Sequence, residues 1–235
     1  MAVKNWILLN NQVMSKDAEG NYDLDKDKEA VRSYFVEHVN KYTVFFHDLR
    51  EKLDYLIENQ YYIDFYKKYK FSDIEEVFDL VYAKKFRFPS FMSAFKFYQN
   101  YALRDNTGEF FLERYEDRIA AVALFLADGD KKKALEYAKL MINQEYQPAT
   151  PTFLNAGKVR AGQMVSCFLD EVGDNLTGIG YAIDEGMKLS SIGGGVAYNF
   201  SKLRARSEAI KGIDGRASGE IGRAHVWTPV TPTDL

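Results

Sequence analysis

Residues 147–167 read QPATPTFLNAGKVRAGQMVSC, and this stretch divides the chain into two kinds of sequence. Upstream of it, apolar residues recur at helical spacing. Downstream, Gly, Thr, Ser and Pro become frequent and short apolar runs take over. VSCFL (165–169) reads as a buried strand, and helical spacing returns over 174–189 through Leu176, Ile179, Ile183 and Met187. Gly193-Gly194-Gly195 then leads into VAYNF, a second buried strand. Strand, helix, strand is the pattern of an α/β unit with a parallel connection. The boundary is expected near Glu145, with a helical domain over 1–145 and an α/β domain only begun over 146–219. The same stretch gathers chemistry: the one cysteine of the chain, Cys167, follows Ser166, and Thr150 and Thr152 bracket Pro151.

Composition narrows the class. The chain has 235 residues, 46% hydrophobic and 28% charged, enough to bury a core. A net charge of −3 provides no field for nucleic acid or an anionic membrane surface. One cysteine cannot close an internal disulfide, and no leader-like or long apolar segment occurs, so a cytoplasmic protein is expected. Three scattered histidines and no cysteine cluster give no reason to expect a metal site.

The upstream half reads as helical scaffold behind a polar, turn-rich lead-in over residues 1–25. The spacing predicts a helix over 25–39 and another over 44–59, where Phe46, Leu49, Leu53, Leu56 and Ile57 share a face. Ser72-Asp73-Ile74-Glu75 matches a capping box, and Ser90, after Phe88-Pro89, can cap a further helix. Residues 102–114 around Asn106-Thr107-Gly108 carry a hairpin signal. Two helices, 116–127 and 131–144, follow as an antiparallel pair across Asp128-Gly129-Asp130. The aromatic stripes on these helices are core rather than a ligand box.

Residue by residue, the chemistry stays open. Neither a dinucleotide-binding nor a P-loop glycine pattern is present. Gly193–Gly195 is either a strained turn or a place where backbone approaches a ligand without an intervening Cβ. The Thr150 and Thr152 hydroxyls suit a phosphate or sugar contact, or simply cap a helix. A cysteine in a strand like 165–169 is ordinarily an inert small apolar side chain.

Taken jointly, QPATPTFLNAG, VSCFL and GGGVA resemble the large, catalytic subunit of class I ribonucleotide reductases, most closely the class Ib form. Lys85-Phe86-Arg87-Phe88, Ala94-Phe95-Lys96-Phe97-Tyr98 and Tyr115-Glu116-Asp117-Arg118 extend the resemblance over nearly the whole chain up to Gly219. It implies a helical N-terminal domain followed by the beginning of a ten-stranded α/β barrel, truncated here. The implied activity is radical reduction of ribonucleoside diphosphates to 2′-deoxyribonucleotides. Cys167 matches the substrate-reducing cysteine, one of a redox pair, and Thr150, Ser166 and Gly195 match substrate contacts. Asp174 and Arg204 match the specificity site, where a deoxynucleoside triphosphate or ATP effector binds near the dimer interface. Arg204 suits a phosphate by charge and fork geometry; Asp174 suits the deoxyribose, or serves as a helix N-cap. The implied partners are a second large subunit, a smaller radical-generating subunit with a dimanganese or diiron tyrosyl radical, and a glutaredoxin-like or thioredoxin reductant. Neither nucleic acid nor a membrane is implied. A class II or III reductase, and a helical interaction module without catalysis, are the competing readings.

Two departures from the family pattern bear on function. No N-terminal ATP-binding cone is recognisable, as in class Ib subunits. The thiyl-radical cysteine, the second cysteine of the redox pair and the C-terminal thiol relay have no counterpart up to Gly219, so the chain alone is expected to be inactive and poorly soluble. Residues 220–235, EIGRAHVWTPVTPTDL, resemble translated sequencing adapter, with Trp227 where TGA would be read, and are expected to be foreign to the natural protein.

Overall fold

The structure, a computed structural model, describes residues 4–13, 16, 19–21, 24–210, 212–215 and 217. The stretch from Glu220 to Leu235, expected to be foreign, lies outside them. Packing divides the chain into two units, Met1–Ala161 and Gly162–Leu235.

The first unit is helical, and most of its helices fall where the apolar spacing puts them. The polar lead-in is an exception, because it contains helix α1, Asn5–Val13. Trp6 accounts for this: it is buried against the rings of Tyr34 and His38, and that apolar burial holds a turn-prone segment in helix. The predicted helix over 25–39 is α2, Leu24–Tyr34, continued by one wider turn over Phe35–Val39. The helix predicted over 44–59 starts later, as α3, Leu49–Glu58. Asp48 caps it, accepting from Glu51 N at 2.8 Å, while Val44 N donates to Phe111 O at 2.9 Å and is drawn out of the helix by that pairing.

Helix α4, Phe71–Ala83, does not use Ser72 as its cap, contrary to the capping-box reading. Phe71 is already helical, held under the Arg50 guanidinium at 3.8 Å, and Asp73 turns to Lys131 at 3.1 Å. Ser90 does cap α5, Phe91–Asn100, in a reciprocal box with Ser93. The hairpin signal yields a single antiparallel bridge, Arg104 to Phe111, and no strands. Asp105 closes that loop, accepting from Glu109 N and Phe110 N at 3.1 Å.

Helices α6, Tyr115–Ala127, and α7, Lys131–Ile142, form the expected pair, with Asp128 in the left-handed region and Asp130 capping α7. Residues Ile119 to Leu124 of α6 are all buried, so this helix is the centre of the unit. It also carries Asp117 and Arg118 into the interior, beside Glu113. The unit runs on past the expected boundary at Glu145. Short helix α8, Thr150–Asn155, packs on α6 and buries Phe153, Ile63 N donates to Gly157 O at 3.0 Å, and Val159 N donates to Tyr61 O at 3.1 Å. These long-range bonds, invisible to local composition, carry the helical unit to Ala161.

The second unit holds the predicted parallel α/β element: β1, Cys167–Glu171, α9, Leu176–Ser191, and β2, Gly195–Asn199. The strands are parallel, with Cys167 opposite Gly195 and Asp170 opposite Tyr198. Helix α9 covers one face through a small core of Val172, Ile179, Ala182 and Leu203. Both strands alternate exposed with half-buried positions, and Leu169 is 89% exposed, so the expectation of buried strands is not met. One helix covers one face of a sheet; among the described residues of this unit, no layer lies against the side chains of the opposite face.

Candidate active site

The two glycine-rich and thiol-bearing segments meet because they occupy paired strands. Gly195 N donates to Ser166 O at 2.6 Å, which locks the start of β2 beside the Ser166-Cys167 step. Ser166 Oγ and Cys167 Sγ lie 3.8 Å apart, and the thiol is exposed. A Cβ on Gly195 would lie 3.4 Å from Ser166 O, ordinary contact. Within the glycine run, the position with no spare space is Gly194, where a Cβ would be 2.5 Å from the Phe168 ring and 2.9 Å from Leu189 O. Gly193 has φ +85°, so the turn before β2 also needs a glycine. The turn reading of the glycine run therefore holds at Gly193, whereas the close approach at Gly194 is to Phe168.

Asp174 and Arg204 are brought together as well. Arg204 Nε donates to Asp174 Oδ2 at 2.6 Å, Nη2 donates to Asp174 O at 3.4 Å, and Nη1 donates to Ala209 O at 3.1 Å. Asp174 is not the cap of α9; Asn175 is, accepting from Gly178 N at 2.7 Å. The Asp174 carboxylate thus serves the ion pair, about a quarter of each side chain remaining exposed (24% and 29%).

Thr150 belongs to the helical unit, at the first position of α8 ahead of Pro151, whose fixed φ suits a helix start. Neither threonine caps α8; the cap position is Ala149, with no side-chain bond. Instead the Thr150 and Tyr101 hydroxyl oxygens lie 3.1 Å apart, and either can donate. Tyr101 was not singled out in the sequence, where nothing links positions 49 residues apart. Behind α8 is a buried polar cluster. Glu113, with no exposure, accepts from the Tyr62 hydroxyl and from Leu103 N at 2.8 Å. Arg118 Nη1 lies 3.0 Å from Glu113 Oε1 in ion-pair contact, outside hydrogen-bond alignment, and Nη2 donates to Ala156 O. Lys158 Nζ is 3.9 Å from Glu113 and donates to Tyr101 O at 3.2 Å. Burial pushes the Lys158 amine below its ordinary pKa, against the pull of the Glu113 carboxylate. The Tyr62 phenol is pushed well up by burial and by that same carboxylate.

Chemically, the strand unit offers a thiol with a neighbouring hydroxyl and backbone at one spot, and a guanidinium–carboxylate pair at another. Among the described residues no group of three or more His, Cys, Asp or Glu side chains is placed to hold a metal ion, and no helix is long and apolar enough to cross a membrane.

Three family models match consecutive parts of the chain: the ribonucleotide reductase N-terminal domain over residues 6–86, the ribonucleotide reductase all-alpha domain over 87–161 and the ribonucleotide reductase barrel domain over 165–228. The junction between the last two coincides with the division of the structure at Ala161. The chain is 62% identical over 221 residues to the ribonucleoside-diphosphate reductase subunit alpha of Bacillus subtilis, covering 94% of this chain and 31% of that protein. It is 43% identical over 220 residues to the subunit alpha of Mycoplasma genitalium, covering 93% of this chain and 30% of that one. The chain therefore spans about a third of the length of these relatives. Helical domains leading into a parallel strand–helix–strand unit, in the order of the three matched models, place it plainly: the chain belongs to the ribonucleotide reductase family, among the class I large (alpha) subunits.

Proposed function

We propose that the chain forms part of the active site of a class Ib ribonucleoside-diphosphate reductase, which converts ribonucleoside diphosphates to 2′-deoxyribonucleoside diphosphates. The observation that carries this reading is the exposed Cys167 thiol, paired in register with Gly195 and 3.8 Å from the Ser166 hydroxyl. In the reaction the C2′–O bond breaks and the oxygen leaves as water. A C2′–H bond forms, and two thiols give up their hydrogens and are joined as a disulfide. Cys167 is one of those thiols. The chain has no other cysteine, so the second lies outside this sequence.

Thr150, Ser166 and the Gly195 backbone contact the substrate in this reading. Hydroxyls can donate to phosphate or ribose oxygens, and a glycine places no Cβ between its backbone and a ligand. Asp174 and Arg204 take a deoxynucleoside triphosphate or ATP effector, the guanidinium engaging phosphate. A second alpha subunit, a radical-generating beta subunit with a dimanganese or diiron tyrosyl radical, and a glutaredoxin-like or thioredoxin reductant complete the enzyme. A cytoplasmic setting belongs to the same reading.

The test places residues 1–217 of this chain in the Bacillus subtilis alpha subunit, in place of the matching segment, and measures CDP reduction with the beta subunit and a dithiol. The chimera is expected to form dCDP, and Cys167→Ser is expected to abolish it while dTTP still raises the melting temperature. Undiminished turnover by the Cys167→Ser chimera would overturn the role given to Cys167.

A further inference from the structure

We infer that Tyr101 is a positioning residue that sets the hydroxyl of Thr150 for substrate binding; this rests on the reading of Thr150 as a substrate contact. A threonine side chain has three staggered positions about χ1. Helical backbone narrows that choice, and on an exposed helix start a partner selects among the positions that remain. Thr150 is exposed, and Tyr101 Oη lies 3.1 Å from its Oγ1. Two hydroxyls at that distance form a directed pair: when the phenol donates, the threonine proton is released to point outward, toward an anionic or ribose oxygen.

The phenol can direct another group because it is itself held. Tyr101 N donates to Phe97 O at 2.8 Å at the end of α5, and Tyr101 O accepts from Lys158 Nζ at 3.2 Å. The next residue but one, Leu103, donates its N–H to Glu113 at 2.8 Å. The Tyr101 ring leans on Phe153 of α8, with centroids 5.7 Å apart. The buried Glu113–Arg118–Lys158 cluster therefore fixes both sides of the contact. Lys158 and Leu103 pin the tyrosine, and Arg118 Nη2, donating to Ala156 O, pins the end of α8. Two segments far apart in sequence are held in one register, and the hydroxyl pair is where they meet.

The test uses the full-length chimeric alpha subunit with its beta subunit, comparing Tyr101→Phe, Thr150→Val and the double variant. Tyr101→Phe keeps the ring against Phe153 and removes only the hydroxyl. The expected result is a KM for CDP raised about three- to tenfold, the range for one lost hydrogen bond, with kcat and the dTTP-induced melting shift unchanged. Because Tyr101 acts through Thr150, adding Tyr101→Phe to Thr150→Val is expected to raise KM no further. A purely structural role would move the melting temperature and kcat instead. If Thr150→Val raises KM and Tyr101→Phe does not, or if the two effects add, the positioning role is overturned. If Thr150→Val leaves KM unchanged, the reading of Thr150 itself fails, and the inference with it.

Discussion

Arg204 Nε donates to Asp174 Oδ2 across 2.6 Å, joining the connection between β1 and α9 to the segment that follows β2, 30 positions along the chain. The same guanidinium spends its other nitrogens on two backbone carbonyls. All three of its nitrogens are therefore already directed, so in the proposed effector site the guanidinium has a preset orientation. Lysine cannot reproduce that geometry. Arg204→Lys in the full-length chimera is expected to lower the melting shift produced by dTTP, and to cost about 1 kcal/mol without nucleotide. Thermal scans with and without dTTP check both; an undiminished shift would remove Arg204 from the effector site.

The interior of the helical unit has a different sensitivity. Among the described residues, Glu113 is the only carboxylate that Arg118 pairs with, and both side chains have no exposure. Glu113→Gln leaves the guanidinium buried beside Lys158 without a counter-charge. The expected loss is roughly 3 kcal/mol or more. Urea unfolding of the chimera measures it, and a change under about 1 kcal/mol would mean that water reaches the cluster.

Alkaline pH tests the aromatic core. Burial pushes the Tyr34 phenol up to about 12, against a partial opposing pull from the Arg104 charge. Tyr62, Tyr82 and Tyr98 are raised in the same direction by burial. An unfolded tyrosine ionises near 10, so below that pH both states keep the proton and the stabilisation is fully present. From about 10 upward only the unfolded chain releases it, and stability is lost as pH rises through the folded value. Melting temperature is expected to fall between pH 10 and 12, with a shallower fall for Tyr34→Phe. A melting temperature flat over that range would contradict the burial of these phenols.

Gly194 is expected to resist replacement by alanine. A Cβ there would meet the Phe168 ring at 2.5 Å and Leu189 O at 2.9 Å, and the second of these is backbone that cannot swing aside. Gly194→Ala should destabilise by about 1–3 kcal/mol and displace β1, which carries Cys167. Its effect should appear in both urea unfolding and CDP reduction by the chimera. A Gly194→Ala variant with normal unfolding would show that the turn yields.

The parts legible in the sequence are those decided within a turn or two of chain. The pair α6 and α7 across Asp128-Gly129-Asp130, the Ser90 cap, and the parallel strands on either side of α9 follow from periodicity, capping chemistry and glycine placement. The conjunction of Thr150, Ser166-Cys167 and Gly193–Gly195 carried the family. Local rules misplaced other features for identifiable reasons. Val44 pairs with Phe111 instead of starting a helix, Trp6 holds α1 in a segment that reads as turns, and Phe71 displaces Ser72 from the cap of α4.

By itself, then, the sequence determined which groups are available: one thiol, its neighbouring serine, a threonine ahead of a proline, and the carboxylate and guanidinium of Asp174 and Arg204. Only the tertiary structure decided what each of them faces. It gave Asp174 to Arg204 and the cap of α9 to Asn175, set Cys167 opposite Gly195, and placed Tyr101 at the hydroxyl of Thr150. The reason is the range of the forces. Helical and strand periods are set by neighbours along the chain, whereas a hydrogen bond between distant side chains exists only after burial of Phe153 and pairing of the buried charges have closed the chain upon itself.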